Sequence, residues 1–95
     1  MRGRMGPLLT EDGVYVRYSL EYQAGTVASA EYQCSSCVTL VAFCEHLRQW
    51  IPGHTAEEAA ALQYEEVLAL FPEVPPERKG RARLALRALQ AASPL

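Results

Sequence analysis

Three cysteines, Cys34, Cys37 and Cys44, are the side chains of this sequence best suited to chemistry. Cys34 and Cys37 form a Cys-Ser-Ser-Cys motif, and Cys37 stands where a helix is expected to begin. The positive end of a helix dipole favours the thiolate, which is the nucleophilic and metal-binding form of cysteine. Three chemistries are open to this pair: ligation of a metal or cluster, thiol–disulfide exchange, and carriage of a persulfide. Cys44 falls in an apolar stripe and is expected to be a core residue.

Few histidine or carboxylate side chains are candidates for metal ligands beside these cysteines. His54 lies in a predicted loop and is a candidate metal ligand together with Cys37 and Cys34, although zinc sites usually draw on a second pair of ligands. His46 falls among polar positions of a predicted helix and is expected to face solvent. No Ser-His-Asp order, phosphate loop or glycine-rich fingerprint is present, so the sequence does not indicate an enzyme.

A basic segment occupies residues 78–87, which hold five of the nine basic residues and no acidic residue. Such a segment is a candidate contact for an acidic partner. No aromatic residues alternate with the cations, which argues against a platform for single-stranded nucleic acid. We therefore expect solvent or a protein partner, rather than nucleic acid, beside these arginines: Arg78, Arg81, Arg83 and Arg87.

Length and composition restrict the fold. The chain has 95 residues, of which 49% are apolar and 21% charged, as in a single globular domain. No apolar run is long enough to span a membrane, and the first residues lack the apolar stretch of a signal peptide. A cytoplasmic location with reduced cysteines is therefore expected.

The first half of the chain predicts a β-hairpin. Residues 1–12 are expected to be a flexible lead-in, with a further strand there left open. From Val14 to Tyr22 apolar and polar residues alternate with the period of a half-buried strand. Gln23-Ala24-Gly25 predicts the turn, and residues 26–33 a weaker second strand with Ala28, Ala30 and Tyr32 on one face.

The second half predicts helices. A helix that ends at Pro52-Gly53 is predicted by a buried stripe with helical spacing, formed by Leu40, Val41, Cys44, Leu47 and Ile51. A Thr-x-x-Glu capping box at Thr55 starts a short helix to about residue 62, another is expected over 64–70, and the last begins near Pro76. Residues 13–95 are thus expected to form one α+β domain, a small antiparallel sheet of two or three strands followed by about four helices.

The order of several residues resembles the scaffold family of iron–sulfur cluster assembly, the IscU, SufU and NifU group. In that family a hairpin leads to a cysteine that opens a helix, and a Pro-Pro segment precedes the final helix. The matching residues here are Ala30-Glu31-Tyr32, Cys37, Ala42, Trp50, Gly53, Thr55, Glu58-Ala59, Val74-Pro75-Pro76 and Leu84-Ala85. The resemblance covers about residues 13–92 and implies the family's fold.

The resemblance also implies a changed ligand set. Cys37 matches the second of the three cysteines that hold the family's cluster or zinc. The first would fall at Glu11 and the third at Arg81, while Cys34 matches no ligand position. If this register is right, the Arg81 side chain projects toward Cys37 and lowers its pKa.

Together these features predict a divergent, scaffold-like protein without enzymatic turnover. It would bind metal or sulfur through Cys37, or bind another iron–sulfur assembly protein, and its cofactor would be an iron–sulfur cluster, zinc or none. The alternatives are a thiol–disulfide or persulfide relay that uses Cys34 and Cys37, and a ligand-free interaction domain that uses the arginines.

Overall fold

A computed structural model describes residues 3–93 and contains an antiparallel sheet built around one long strand. Strand β3 (Val14–Gln23) lies in the centre and pairs with β4 (Thr26–Cys34) along one edge. Its other edge pairs first with β2 (Leu9–Glu11) and then with β1 (Arg4–Met5). The sheet therefore positions the β2–β3 turn beside the end of β4.

The segment that was expected to be a flexible lead-in differs from the prediction. Its described residues contribute β1 and β2, which together act as an interrupted edge strand. Gly6 separates them, donates its backbone N–H to the Tyr18 carbonyl at 2.8 Å, and lies so close to Ala92 that a Cβ there would be 2.8 Å from the Ala92 Cα. Strands of two and three residues are too short to show alternation, so tertiary pairing rather than pattern creates them.

The β3–β4 hairpin closes through a two-residue turn. Ala24 and Gly25 both have positive φ, 55° and 88°, as a type I′ turn requires. A bulge opposite Glu21 and Tyr22 then shifts the register of β4. Ala28 is exposed and Val27 is buried in its place, which corrects the predicted face at that end of β4.

Four α-helices follow the hairpin in the described part of the chain, close to the predicted ranges. They are α1 (Val38–Trp50), α2 (Ala56–Ala61), α3 (Tyr64–Ala69) and α4 (Gly80–Ala91), with a 3₁₀ turn at Pro76–Arg78 before α4. Thr55 and Glu58 form the predicted capping box at α2. None of the helices in residues 3–93 combines the length and the apolar character needed to cross a membrane. The α+β fold is confirmed.

The core lies between one face of the sheet and helices α1 and α4. Phe43 is buried on α1, whereas Val41, which the helical stripe placed inside, is 38% exposed. The buried side chains that fill the core include Val16, Tyr18, Leu20, Leu40, Phe43, Leu47, Ala82, Ala85, Leu86 and Leu89. This packing fixes the start of α1 next to the start of α4, because both helices lie on the same sheet face.

Candidate functional site

Cys37 occupies the N-cap of α1, at the turn between β4 and the helix. The Cys37 backbone N–H donates to the Ser35 carbonyl at 2.8 Å. Ser35 is itself tied to β3, since its N–H donates to the Tyr15 carbonyl at 3.0 Å and its hydroxyl accepts from the Tyr15 N–H at 2.8 Å. These bonds hold the half-buried Cys37 thiol at a fixed place on the tip of the domain.

Two arginines reach this thiol from the start of α4. Arg78 donates from Nη1 to the Cys37 Sγ at 3.4 Å. Arg81, whose side chain is only 12% exposed, also contacts the thiol and forms an ion pair with Asp12 at 3.8 Å. The prediction that Arg81 projects toward Cys37 is therefore confirmed. The β2–β3 turn, the start of α1 and the start of α4 meet at one tip.

The surroundings of Cys37 lower the pKa of its thiol. The largest cause is the backbone N–H of Leu40, in the first turn of α1, which stabilises the thiolate. Arg81 and the Thr39 N–H act in the same direction, while partial burial of the thiol opposes them. These contacts increase the fraction of Cys37 present as thiolate, the nucleophilic form of cysteine, at any given pH.

The residues at the tip do not fit an iron–sulfur cluster or a zinc ion. Such a cluster normally has four protein ligands, and a tetrahedral zinc site also has four. Cys37 is the one thiolate at the tip, and two guanidinium groups beside it oppose a metal cation. In the described part of the chain no three or more His, Cys, Asp or Glu side chains are grouped so that they could hold a metal ion.

Glu11, which the sequence resemblance aligns with the family's first cysteine, lies at the end of β2 next to Asp12. Its Oε1 atom is buried and has no hydrogen-bond partner among the described residues, and the same holds for the Arg81 Nε. These two atoms belong to the strand and the helix that meet at the tip.

Cys34 and Cys44 form a second thiol pair behind the tip. Cys34 is half-buried at the end of β4, opposite Val16, and Cys44 is fully buried on α1 as predicted. The two thiols are hydrogen-bonded to each other, and the Tyr18 hydroxyl donates to the Cys44 carbonyl at 2.6 Å. Burial raises the pKa of both thiols, so Cys37 alone of the three is activated.

His54 lies away from Cys37, at the opposite end of α1. Its ring stacks on Trp50 with the centroids 3.9 Å apart, and its carbonyl accepts from the Val27 N–H at 2.9 Å. Helix α1 has 13 residues, which separates its two ends by about 20 Å. The structure therefore does not bring His54 to Cys37 or Cys34 as the sequence-based metal site required.

The four arginines that were predicted to contact a partner divide into two groups. Arg78 and Arg81 turn toward Cys37. Arg83 lies over the Tyr64 ring, 4.7 Å from its centroid, and Arg87 is exposed on α4. Sequence reasoning missed Asp12 and the contact of Arg78 with the thiol. The one available signal for Asp12 was its position next to Glu11, at the turn where the resemblance places a ligand.

Nearly the whole chain is similar to one known protein family. The model of the family described as NifU-like N terminal domain matches residues 1–94. No curated protein sequence matches the chain significantly. The family match therefore spans nearly the whole chain. The chain belongs to the NifU-like N-terminal domain family, a family of iron–sulfur cluster assembly scaffolds.

Proposed function

We propose that this protein is a divergent accessory of iron–sulfur cluster assembly that carries sulfur, as a persulfide on Cys37, and does not hold a cluster on its own. The observation that carries the proposal is the environment of Cys37. Its thiol lies 3.4 Å from Arg78 and beside Arg81, the residue that the sequence resemblance aligns with the family's third ligand cysteine. Positive charge there favours an anionic sulfur species and disfavours a metal cation.

The sulfur would be loaded by exchange with a donor persulfide, R–S–SH. The Cys37 thiolate attacks the outer sulfur of the donor, the sulfur–sulfur bond of the donor breaks, and R–S⁻ leaves. Cys37 then carries –S–SH, with no net oxidation or reduction of the two partners together. The protein's own groups prepare this step: the Leu40 amide and Arg81 favour the thiolate form of Cys37, and Arg78 lies close enough to balance charge on the attached sulfur.

The proposal makes the protein a carrier and not an enzyme, since the sulfur it accepts is passed on. Its partners would be other iron–sulfur assembly proteins of the cytoplasm, first among them a protein that bears a persulfide. Arg87 is exposed on α4, and Arg83 is exposed apart from its contact with Tyr64. We assign these two arginines to contact with an acidic surface of such a partner.

The test is to expose the reduced protein anaerobically to inorganic polysulfide, remove the excess, and measure the intact mass and the modified peptide. We expect a gain of one sulfur atom located on Cys37. Cys37→Ser should gain none, and Arg81→Gln should gain it more slowly than Arg87→Gln, which removes a cation from the same helix away from the tip. Sulfur found on Cys34 with Cys37 unmodified, or stoichiometric zinc held by the isolated monomer through Cys37, would contradict the proposal.

A further inference from the structure

Cys34 and Cys37 lie on either side of one tight turn but in different surroundings. Only Ser35 and Ser36 separate them, and the turn is closed by the bond from the Cys37 N–H to the Ser35 carbonyl, at 2.8 Å. The Cys34 thiol lies close enough to Cys37 for the charge on one to affect the other. Cys37 faces the arginines, while Cys34 is half-buried on the sheet side.

We propose that Cys34 is a resolving thiol, which releases the sulfur carried by Cys37 as sulfide and leaves a Cys34–Cys37 disulfide. This inference rests on the proposed function, because it begins from Cys37–S–SH. The Cys34 sulfur, as thiolate, attacks the Cys37 Sγ, the bond between Sγ and the outer sulfur breaks, and HS⁻ leaves. The outer sulfur is reduced to sulfide, and the two cysteine sulfurs supply the electrons by forming the disulfide. A dithiol reductant of the cell would return the pair to its starting state.

The position of the arginines selects the sulfur that is attacked. Attack on the outer sulfur would move the persulfide to Cys34, where an anion would be partly buried and away from both guanidinium groups. Attack on the inner sulfur leaves the negative charge on HS⁻, next to Arg78 and at the exposed rim of the tip. The arrangement therefore favours release of sulfide over transfer to Cys34.

The fold limits the choice of resolving thiol to Cys34. A disulfide requires the two Cα atoms to lie within about 7 Å of each other, which a tight turn between residues three apart permits. Cys44 lies two helical turns along α1 from Cys37 and is fully buried among core side chains, with its carbonyl bound by Tyr18. Cys44 is hydrogen-bonded to Cys34, so it competes with Cys37 as a partner of that thiol.

The test measures the loading and the release of sulfur in three proteins: the wild type, Cys34→Ser and Cys44→Ala. Each is reduced, loaded anaerobically with inorganic polysulfide and desalted, and then its intact mass, its linked peptides and the sulfide released are measured over time. In the wild type we expect a gain of one sulfur atom, followed by its loss as sulfide and a final mass two hydrogens below the reduced chain. The linked peptide should join Cys34 to Cys37.

The variants separate the possible outcomes. Cys34→Ser should load sulfur and release it at least about tenfold more slowly, because it lacks the neighbouring thiol and its high effective concentration. Cys44→Ala should release sulfide as the wild type does, and Cys34→Ala serves as a second removal of the thiol if the serine variant fails to fold. Release from Cys34→Ser at the wild-type rate, or a Cys34–Cys44 disulfide, overturns this inference while the carrier function stands. Failure of the wild type and the variants to gain sulfur at all overturns both.

Discussion

Replacing Arg81 with glutamine should raise the pKa of Cys37 and slow its reactions. The Arg81 side chain is 12% exposed, so solvent screens its charge only in part. Two unit charges about 4 Å apart interact by about 1 kcal/mol in bulk water, and by more where water is partly excluded. About 1.4 kcal/mol corresponds to one pKa unit, so we expect a rise of about 1 unit.

Arg78→Gln should have a smaller effect, although Arg78 makes the 3.4 Å contact with the thiol. Arg78 is exposed, and an exposed charge pair contributes little because water screens it. We expect a rise of about 0.5 pKa unit. In both variants the Leu40 N–H remains, so the pKa of Cys37 should stay below that of a cysteine in an unfolded peptide.

The assay is the rate of Cys37 alkylation by iodoacetamide as a function of pH. Peptide mass spectrometry resolves Cys37 from Cys34, which is also partly accessible. Below the pKa, each unit of increase should slow the reaction by about three- to fourfold rather than tenfold, because a more basic thiolate is also a better nucleophile.

Arg87→Gln is the matched control for this measurement. It removes one exposed cation from the same helix, about 9 Å further along its axis, and should leave the profile of Cys37 unchanged. If Arg81→Gln and Arg87→Gln shift the profile equally, the charge acts through the overall field of the protein and the local assignment of Arg81 is wrong.

Three further predictions concern stability, pH and metal. Thr55→Ala should lower the free energy of unfolding by about 1 kcal/mol in urea titrations, since it removes the capping box with Glu58, and Thr55→Ser should restore most of it. Contacts with Arg48 and Gln49 hold the pKa of Glu45 at about 2 in the folded protein. The ionised Glu45 therefore stabilises the fold above pH 4.5, and this contribution is lost as the pH falls toward 2. The difference in urea midpoint between wild type and Glu45→Gln should shrink over that interval, and a constant difference would refute this. After anaerobic reconstitution with iron and sulfide, the desalted monomer should retain no cluster, and a monomeric peak with a complete two-iron cluster would show that the ligand set has been misjudged.

The main elements of the fold could be predicted because their signals are local. The alternation from Val14 to Tyr22 predicts which side chains of the strand face the core, and the four residues of the Thr55 capping box are enough to predict a helix start. Errors appear where the outcome depends on distant pairing. The bulge that turns Ala28 outward arises from the register of β4 with β3. Val41 is exposed because the face of α1 that packs on the core carries Phe43 and its buried neighbours instead.

The site was harder to predict than the fold for the same reason. Cys37 was found from its place at a helix start, and Arg81 from the resemblance to a family. Arg78 contacts Cys37 across 41 positions of sequence, and Asp12 meets Arg81 only because β2 pairs with β3. No local pattern in the sequence encodes these contacts. His54 was predicted to be a metal ligand from its residue type, but its ring stacks on Trp50 at the far end of α1.

The fold and the side chains at its tip determine different parts of the function. The fold makes the β2–β3 turn, the start of α1 and the start of α4 converge, whatever residues stand there. With three thiolates at that point, the site would carry negative charge and attract a metal cation or a cluster. In the proposed function, Arg81 and Arg78 match the Cys37 thiolate with positive charge, so its cargo is an anionic sulfur species rather than a metal cation. The sign of the charge at the point where these elements converge would therefore decide what the same fold can hold.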